Sequence, residues 1–169
     1  MKFIINTLRL TPIAGIVLML ALLNSACEQQ DFQPNANVAP GGGTVSTYKA
    51  YSLTATGTST VYGRIVFYKY NPSVTLVQMG LYNTVGGTAY SAAIYQGALA
   101  TGSATALKTL DAVSGDTGAF ATNKYVTINE AGFFDKLSTY NASVKIMAGT
   151  TVVATGNIGA NAAPVAQAQ

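Results

Sequence analysis

The sequence predicts an all-β domain, an antiparallel Greek-key β-sandwich of about eight strands with one short helix. Three observations carry this. Apolar and polar residues alternate with period two through most of residues 47–159, the mark of half-buried strands. Short clusters of Gly, Asn, Asp, Ser and Pro interrupt that alternation at intervals that suit strands rather than helices. Charged residues make up only 9% of the 169, against roughly 25% in an average soluble domain, so the Glu- and Lys-rich faces of surface helices are missing. A small barrel closed by the same strands is the alternative architecture.

Taken in order, residues 48–56 place Tyr51, Leu53 and Ala55 on one face of the first strand. In 60–70, Val61, Ile65 and Phe67 share one face, and Tyr62, Arg64, Tyr68 and Tyr70 share the other. Asn71-Pro72-Ser73 is a turn, and 74–82 form the third strand. Gly86-Gly87 separates it from 89–96, and a Gly- and Ser-rich passage leads to a short strand near 106–111. The segment 114–118 (SGDTG) is a turn and 124–128 a further strand. Thr127 and Glu130 have the spacing of a capping box, which predicts a helix of at most about two turns over 131–137, weakened by Gly132. Residues 142–148 and 151–158 form the closing pair around Gly149-Thr150, and the tail after 160 shows no pattern and is expected to be disordered. Facing sheets would bury Leu53, Ile65, Phe67, Val74, Leu76, Ile94, Val126, Val144, Ile146, Val153 and Ile158. A slip of one residue in any strand would exchange its faces.

The first 46 residues read differently. Lys2 and Arg9 give a positive start, and residues 13–23 are an unbroken run of 11 apolar or Gly residues. That run is too short for a membrane span of about 20 residues and suits a signal-peptide core of about 7–15. Ser25 and Ala26 then precede Cys27, the single cysteine of the chain. This segment resembles a bacterial lipoprotein signal, with residues 1–26 removed and the Cys27 thiol acylated. Asn24 departs from that pattern, which places Leu three positions before the Cys; Leu23 stands one position further back. An ordinary secretory signal with a chance cysteine is the competing reading. Two or three acyl chains would anchor stably at about 0.8 kcal/mol per buried CH₂. Residues 27–46 then form the lipidated Cys and a tether, in which Pro34, Pro40 and Gly41-Gly42-Gly43 exclude regular structure. As a flexible coil its 19 residues after the Cys reach roughly 25 Å. Glu28 and Asp31 loosely resemble a surface-export signal, or simply keep the linker solvated. Removing Lys2 and Arg9 from the nine basic residues leaves seven against six acids, a net +1, which gives no electrostatic footprint for nucleic acid.

The folded part adds a second resemblance. A strand ending in Leu81 and a Gly-containing turn lead to SAAIYQG at 91–97 and a small-residue loop. A Leu-Asp strand with SGDTG at 114–118 and a short helical connection then lead to SVKIMAGTTVVATGNIGAN at 143–161. This order is similar to the chordin-type (CHRD) domain of bacterial envelope proteins and would cover about residues 47–160. The resemblance implies a β-sandwich module of the kind found in envelope proteins, and the lipoprotein signal at Cys27 adds the expectation of a lipid anchor in the outer membrane, facing either the periplasm or the surface. The CHRD resemblance also implies histidines that are missing here: Ser91, Ala93 and Tyr95 stand where a histidine-rich strand would carry them, and the strand ending in Met147 lacks another. The chain has no His at all, so an imidazole metal site of the copper/zinc superoxide dismutase kind cannot form.

Other chemistry is sparse. Asp111 and Asp116 flank one loop, yet Ca²⁺ asks for 6–8 oxygens and usually several carboxylates. A serine nucleophile would depend on lysine as its base; Ser143 and Lys145 share a strand face, but no Ser-x-x-Lys motif accompanies them. No catalytic residue, metal site or cofactor is expected. The ten tyrosines are more informative, because Tyr62, Arg64, Tyr68 and Tyr70 form a candidate binding surface of a favoured interface composition. Cross-strand pairing of outward tyrosines would explain the same pattern. The expectation is a non-catalytic, lipid-anchored envelope protein with a binding or structural role. Its partners would be the membrane, through the acyl chains, and an envelope protein or glycan. A metal-handling or enzymatic relative of the superoxide dismutase sandwich is the alternative.

Overall fold

The structure, a computed structural model, describes residues 45–102 and 105–166. The signal segment, Cys27 and the tether up to residue 44 lie outside the described residues, as do 167–169. Among the described residues the protein is built on antiparallel β-structure with a single short α-helix. Its strands are β1 (Tyr48–Ala55), β2 (Tyr62–Asn71), β3 (Val74–Tyr82), β4 (Ala89–Gln96), β5 (Ala106–Thr109), β6 (Val113–Ser114), β7 (Val126–Asn129), β8 (Asn141–Ala148) and β9 (Thr151–Gly159). Helix α1 (Phe133–Lys136) and a 3-10 turn at Leu137–Thr139 join β7 to β8.

The strands follow one hydrogen-bonded path, β5-β4-β8-β9-β1-β2-β3-β7, with β6 beside β4. The order β9-β1-β2-β3 is of Greek-key form, the last strand returning beside the first. Strand β1 is the corner. Its residues 48–53 pair with β2, whereas Thr54 and Ala55 pair with β9, so one strand serves both halves of the sheet. The sheet thereby curls until its halves face each other across a single core. Tyr51, Leu53, Ile65, Phe67, Val77, Met79 and Leu81 from one half meet Tyr90, Ile94, Val144, Ile146, Val153 and Ile158 from the other.

The expected strands are all present, and β6 is an addition too short to show a period. Strand β3 runs one residue out of the expected register. Thr75, Val77, Met79 and Leu81 point into the main core, while Val74 and Leu76 turn outward to a second apolar cluster. Within that cluster Val45, Ala50, Val66, Tyr68, Leu76 and Tyr125 cover the outside of β1–β3. Val126 is only half-buried against the main core.

The capping box does not form. Thr127 lies in β7, opposite Leu76 in β3, and α1 begins after Gly132 at φ 72° with no side-chain cap. Two large rings start this helix where a helix-favouring sequence would not, and burial of Phe133 and Phe134 holds it. Lys49 Nζ donates to the Phe134 carbonyl at 2.9 Å and lies 4.7 Å from its ring centre, and Lys69 pairs with Asp135 at 2.7 Å. Of the tail expected to lack order, residues 161–166 are described. Asn161 Nδ2 donates to Asn141 Oδ1 at 2.8 Å, and the Val165 amide donates to the Ala50 carbonyl on the free edge of β1 at 2.8 Å.

Candidate functional site

Strands β5 and β7 end the hydrogen-bonded path, and each has one partner strand among the described residues. A cleft of about 410 Å³ opens at this seam, lined by residues of β4, β5, β8, α1 and the segments beside it. Ile94 and Ala142 belong to the main core, and their cross-strand partners Lys108 and Gln96 therefore stand on the same, inner side of the sheet. The floor is apolar, made by Ile94, Ala142 and Phe133; Gln96, Thr139, Tyr140 and Asn141 add polar groups, and Leu107 overhangs from β5.

One ion pair spans the seam. Lys108 Nζ lies 2.9 Å from Glu130 Oε2, with the side chains 34% and 43% exposed. The Tyr140 hydroxyl donates to the other oxygen, Glu130 Oε1, at 3.1 Å. Pairing with Lys108 holds the Glu130 carboxyl below its ordinary pKa against the opposing effect of partial burial, and the Tyr140 hydrogen bond lowers it further. Tyr140 moves the other way: burial pushes its hydroxyl up, and the Glu130 carboxylate adds to the shift. Aromatic packing fixes the wall, with Phe133 and Tyr140 edge to face at 5.2 Å and Lys108 Nζ 5.7 Å from the Phe133 ring centre.

Two larger hollows lie elsewhere, about 650 Å³ beside Tyr70, Val74 and Tyr125 and about 660 Å³ beside Thr56–Val61 and Val152. Neither is lined by a carboxylate. The seam joins a floor of buried apolar side chains to directional polar groups, the combination that small-ligand sites share.

The tyrosine and arginine face of β2 is divided rather than continuous. Tyr62 and Tyr70 are exposed and Arg64 is half-buried, but Tyr68 is only 1% exposed. Its ring meets Tyr125 edge to face at 5.8 Å and its hydroxyl donates to Gln78 Oε1 at 3.0 Å. Arg64 donates to the Ala166 carbonyl at 3.1 Å, so the C-terminal segment reaches this face. Tyr62 stacks on Tyr82 at 5.2 Å, cross-strand pairing of the kind that accounts for outward tyrosines. Tyr68 thus supports the fold instead of a binding surface. The hint is Val66, an aliphatic residue on the face assigned to polar groups.

Elsewhere, Asp116 Oδ1 accepts the Gly87 amide at 2.9 Å, which is turn chemistry, and no cluster of three metal-ligating side chains occurs among the described residues. Ser143 is fully buried with its hydroxyl unpartnered, while Lys145 lies 4.5 Å from the centre of the Tyr95 ring, so the two do not pair. No helix among the described residues is long and apolar enough to cross a membrane. Comparison of the chain with family models, curated proteins and solved structures gives no match.

Proposed function

We propose that this chain is a non-catalytic, lipid-anchored protein of the bacterial cell envelope whose β-domain holds a ligand in the seam cleft. The cleft carries the proposal. It sinks to the main core between the two ends of the sheet, and its one carboxylate is engaged through both oxygens, an arrangement suited to recognition. The anchoring half rests on the residues before the domain: an 11-residue apolar run, small residues at 25 and 26, and the lone Cys27, twenty-one positions ahead of Tyr48. The resemblance to CHRD domains motivates the envelope assignment.

Each half has its own test. Cys27→Ser should abolish incorporation of labelled fatty acid and move the protein out of the membrane fraction; unchanged partitioning sinks the anchor. Gln96 is exposed at the cleft mouth, so Gln96→Trp should obstruct entry without touching the core. Ligands retained from envelope extract by the wild-type chain should be lost from that variant. Equal retention by both would move the binding role away from the seam.

A further inference from the structure

One ammonium group already occupies the seam, that of Lys108. It meets a carboxylate oxygen of Glu130 at 2.9 Å and lies 5.7 Å from the centre of the Phe133 ring. Carboxylate and ring are set in place by contacts that do not involve Lys108. Tyr140 holds the second Glu130 oxygen at 3.1 Å and packs edge to face against Phe133 at 5.2 Å. A fixed carboxylate beside an aromatic ring is recognition chemistry for an organic cation. Lys108, by contrast, sits on a four-residue strand at the end of the sheet, with its side chain one-third exposed on a flexible stem.

Building on the reading of the seam as the ligand site, we infer that the cleft takes a small primary amine. The ligand's ammonium replaces that of Lys108 against Glu130 and Phe133, and its aliphatic stem lies on Ile94 and Ala142. Lys108 is then an intramolecular competitor that swings into solvent when the ligand enters. Exchanging one ammonium for another leaves Glu130 neutralised throughout, so occupancy requires no proton transfer. An anionic ligand meets the opposite situation. It must take Lys108 away from Glu130, and Tyr140 keeps that carboxylate in the cleft to repel it. Lys136 on α1, whose charge also reaches Glu130, lowers the cation's affinity whether or not Lys108 has left.

The test compares three probes of one shape, n-butylammonium, n-butanol and n-butyrate, titrated calorimetrically into the full chain in detergent and into Lys108→Met and Glu130→Gln. Removing the competitor should tighten n-butylammonium by about threefold to fivefold, with no comparable gain for the other two. Glu130→Gln should erase the preference for the cation. Lys108→Gln repeats the measurement should the methionine variant fold poorly. Equal binding of all three probes to Lys108→Met overturns the amine inference and leaves the cleft as a ligand site. Preference for n-butyrate overturns it as well. If no probe binds any variant the inference also fails, and Gln96→Trp retention then decides separately whether the cleft reading falls with it.

Discussion

Replacing Gly118 with alanine should cost about 2–5 kcal/mol, and the structure allows that figure to be built in two parts. Gly118 sits at φ 68°, where a side chain costs about 1–2 kcal/mol. A Cβ there would lie 2.1 Å from the Leu81 carbonyl oxygen and 3.1 Å from its carbon. Relief requires a backbone shift of roughly 1 Å to regain ordinary contact distance. That shift pulls at the bond from the Leu81 amide to the Gly118 carbonyl, 2.7 Å long and buried at the end of β3. Leaving such a buried amide unpaired costs a further 1–3 kcal/mol or so. Gly57 supplies the control, because it has φ 60° and a Cβ added to it would meet nothing within 4 Å. Gly57→Ala should therefore lose only about 1–2 kcal/mol, from conformation alone. Urea unfolding at constant m-value measures both. Close approach at Gly118 is refuted if the two variants differ by less than about 1 kcal/mol, since the conformational part is common to both.

Three further outcomes follow from the same geometry. Ser143 Oγ is buried and unpartnered, so Ser143→Ala should leave stability unchanged or raise it by about 1 kcal/mol, read as a higher urea midpoint. Tyr68→Ala removes a ring from the second apolar cluster and should destabilise by about 3 kcal/mol, whereas Tyr62→Ala, at an exposed ring, should cost well under half of that in the same assay. Glu130 has a folded pKa below its unfolded value, so its contribution is present at neutral pH. The unfolded chain takes up the proton first as pH falls below the ordinary carboxylate range, and the contribution is lost as pH falls through the lower folded value. Exposure of the pair limits the effect to under about 1 kcal/mol, and Lys108→Met should flatten that part of the acid limb of stability against pH.

The alternating strands are legible in the sequence because period two needs only the side of the chain on which each residue falls. Register in β3 is less plain. Val74 and Leu76 open the strand with apolar residues on one parity, but Gln78 and Gly80 continue that parity, while Val77, Met79 and Leu81 carry the other into the core. The whole strand, weighed rather than its first turn of the pleat, gives the right face. Tyr68 escapes sequence reasoning for a different reason. Alternation tells which side of a sheet a residue takes, and cover on the outer side comes from Val45 and Tyr125, twenty or more positions away in the chain. Glu130 is hidden by a local motif. Its spacing from Thr127 satisfies a capping box, yet the pairing of Thr127 with Leu76 commits that residue to β7 and frees Glu130 for Lys108.

The few charges also explain why the cleft lies where it does. Lys49 and Lys69 fasten α1 to β1 and β2, and Lys108 reaches from β5 to Glu130 just before that helix. The segment from Glu130 to Tyr140 is thus held by side chains from three strands, and it fills the end of the curled sheet where β5 and β7 do not pair with each other. Backbone pairing would have sealed the seam with groups that bind nothing further. Closure by side chains is reversible, because a lysine stem can swing away at a cost of one partly exposed ion pair, under about 1 kcal/mol. Strength at this seam and access through it are therefore opposed. Binding at Glu130 becomes feasible because the Lys108 contact is weak enough to exchange.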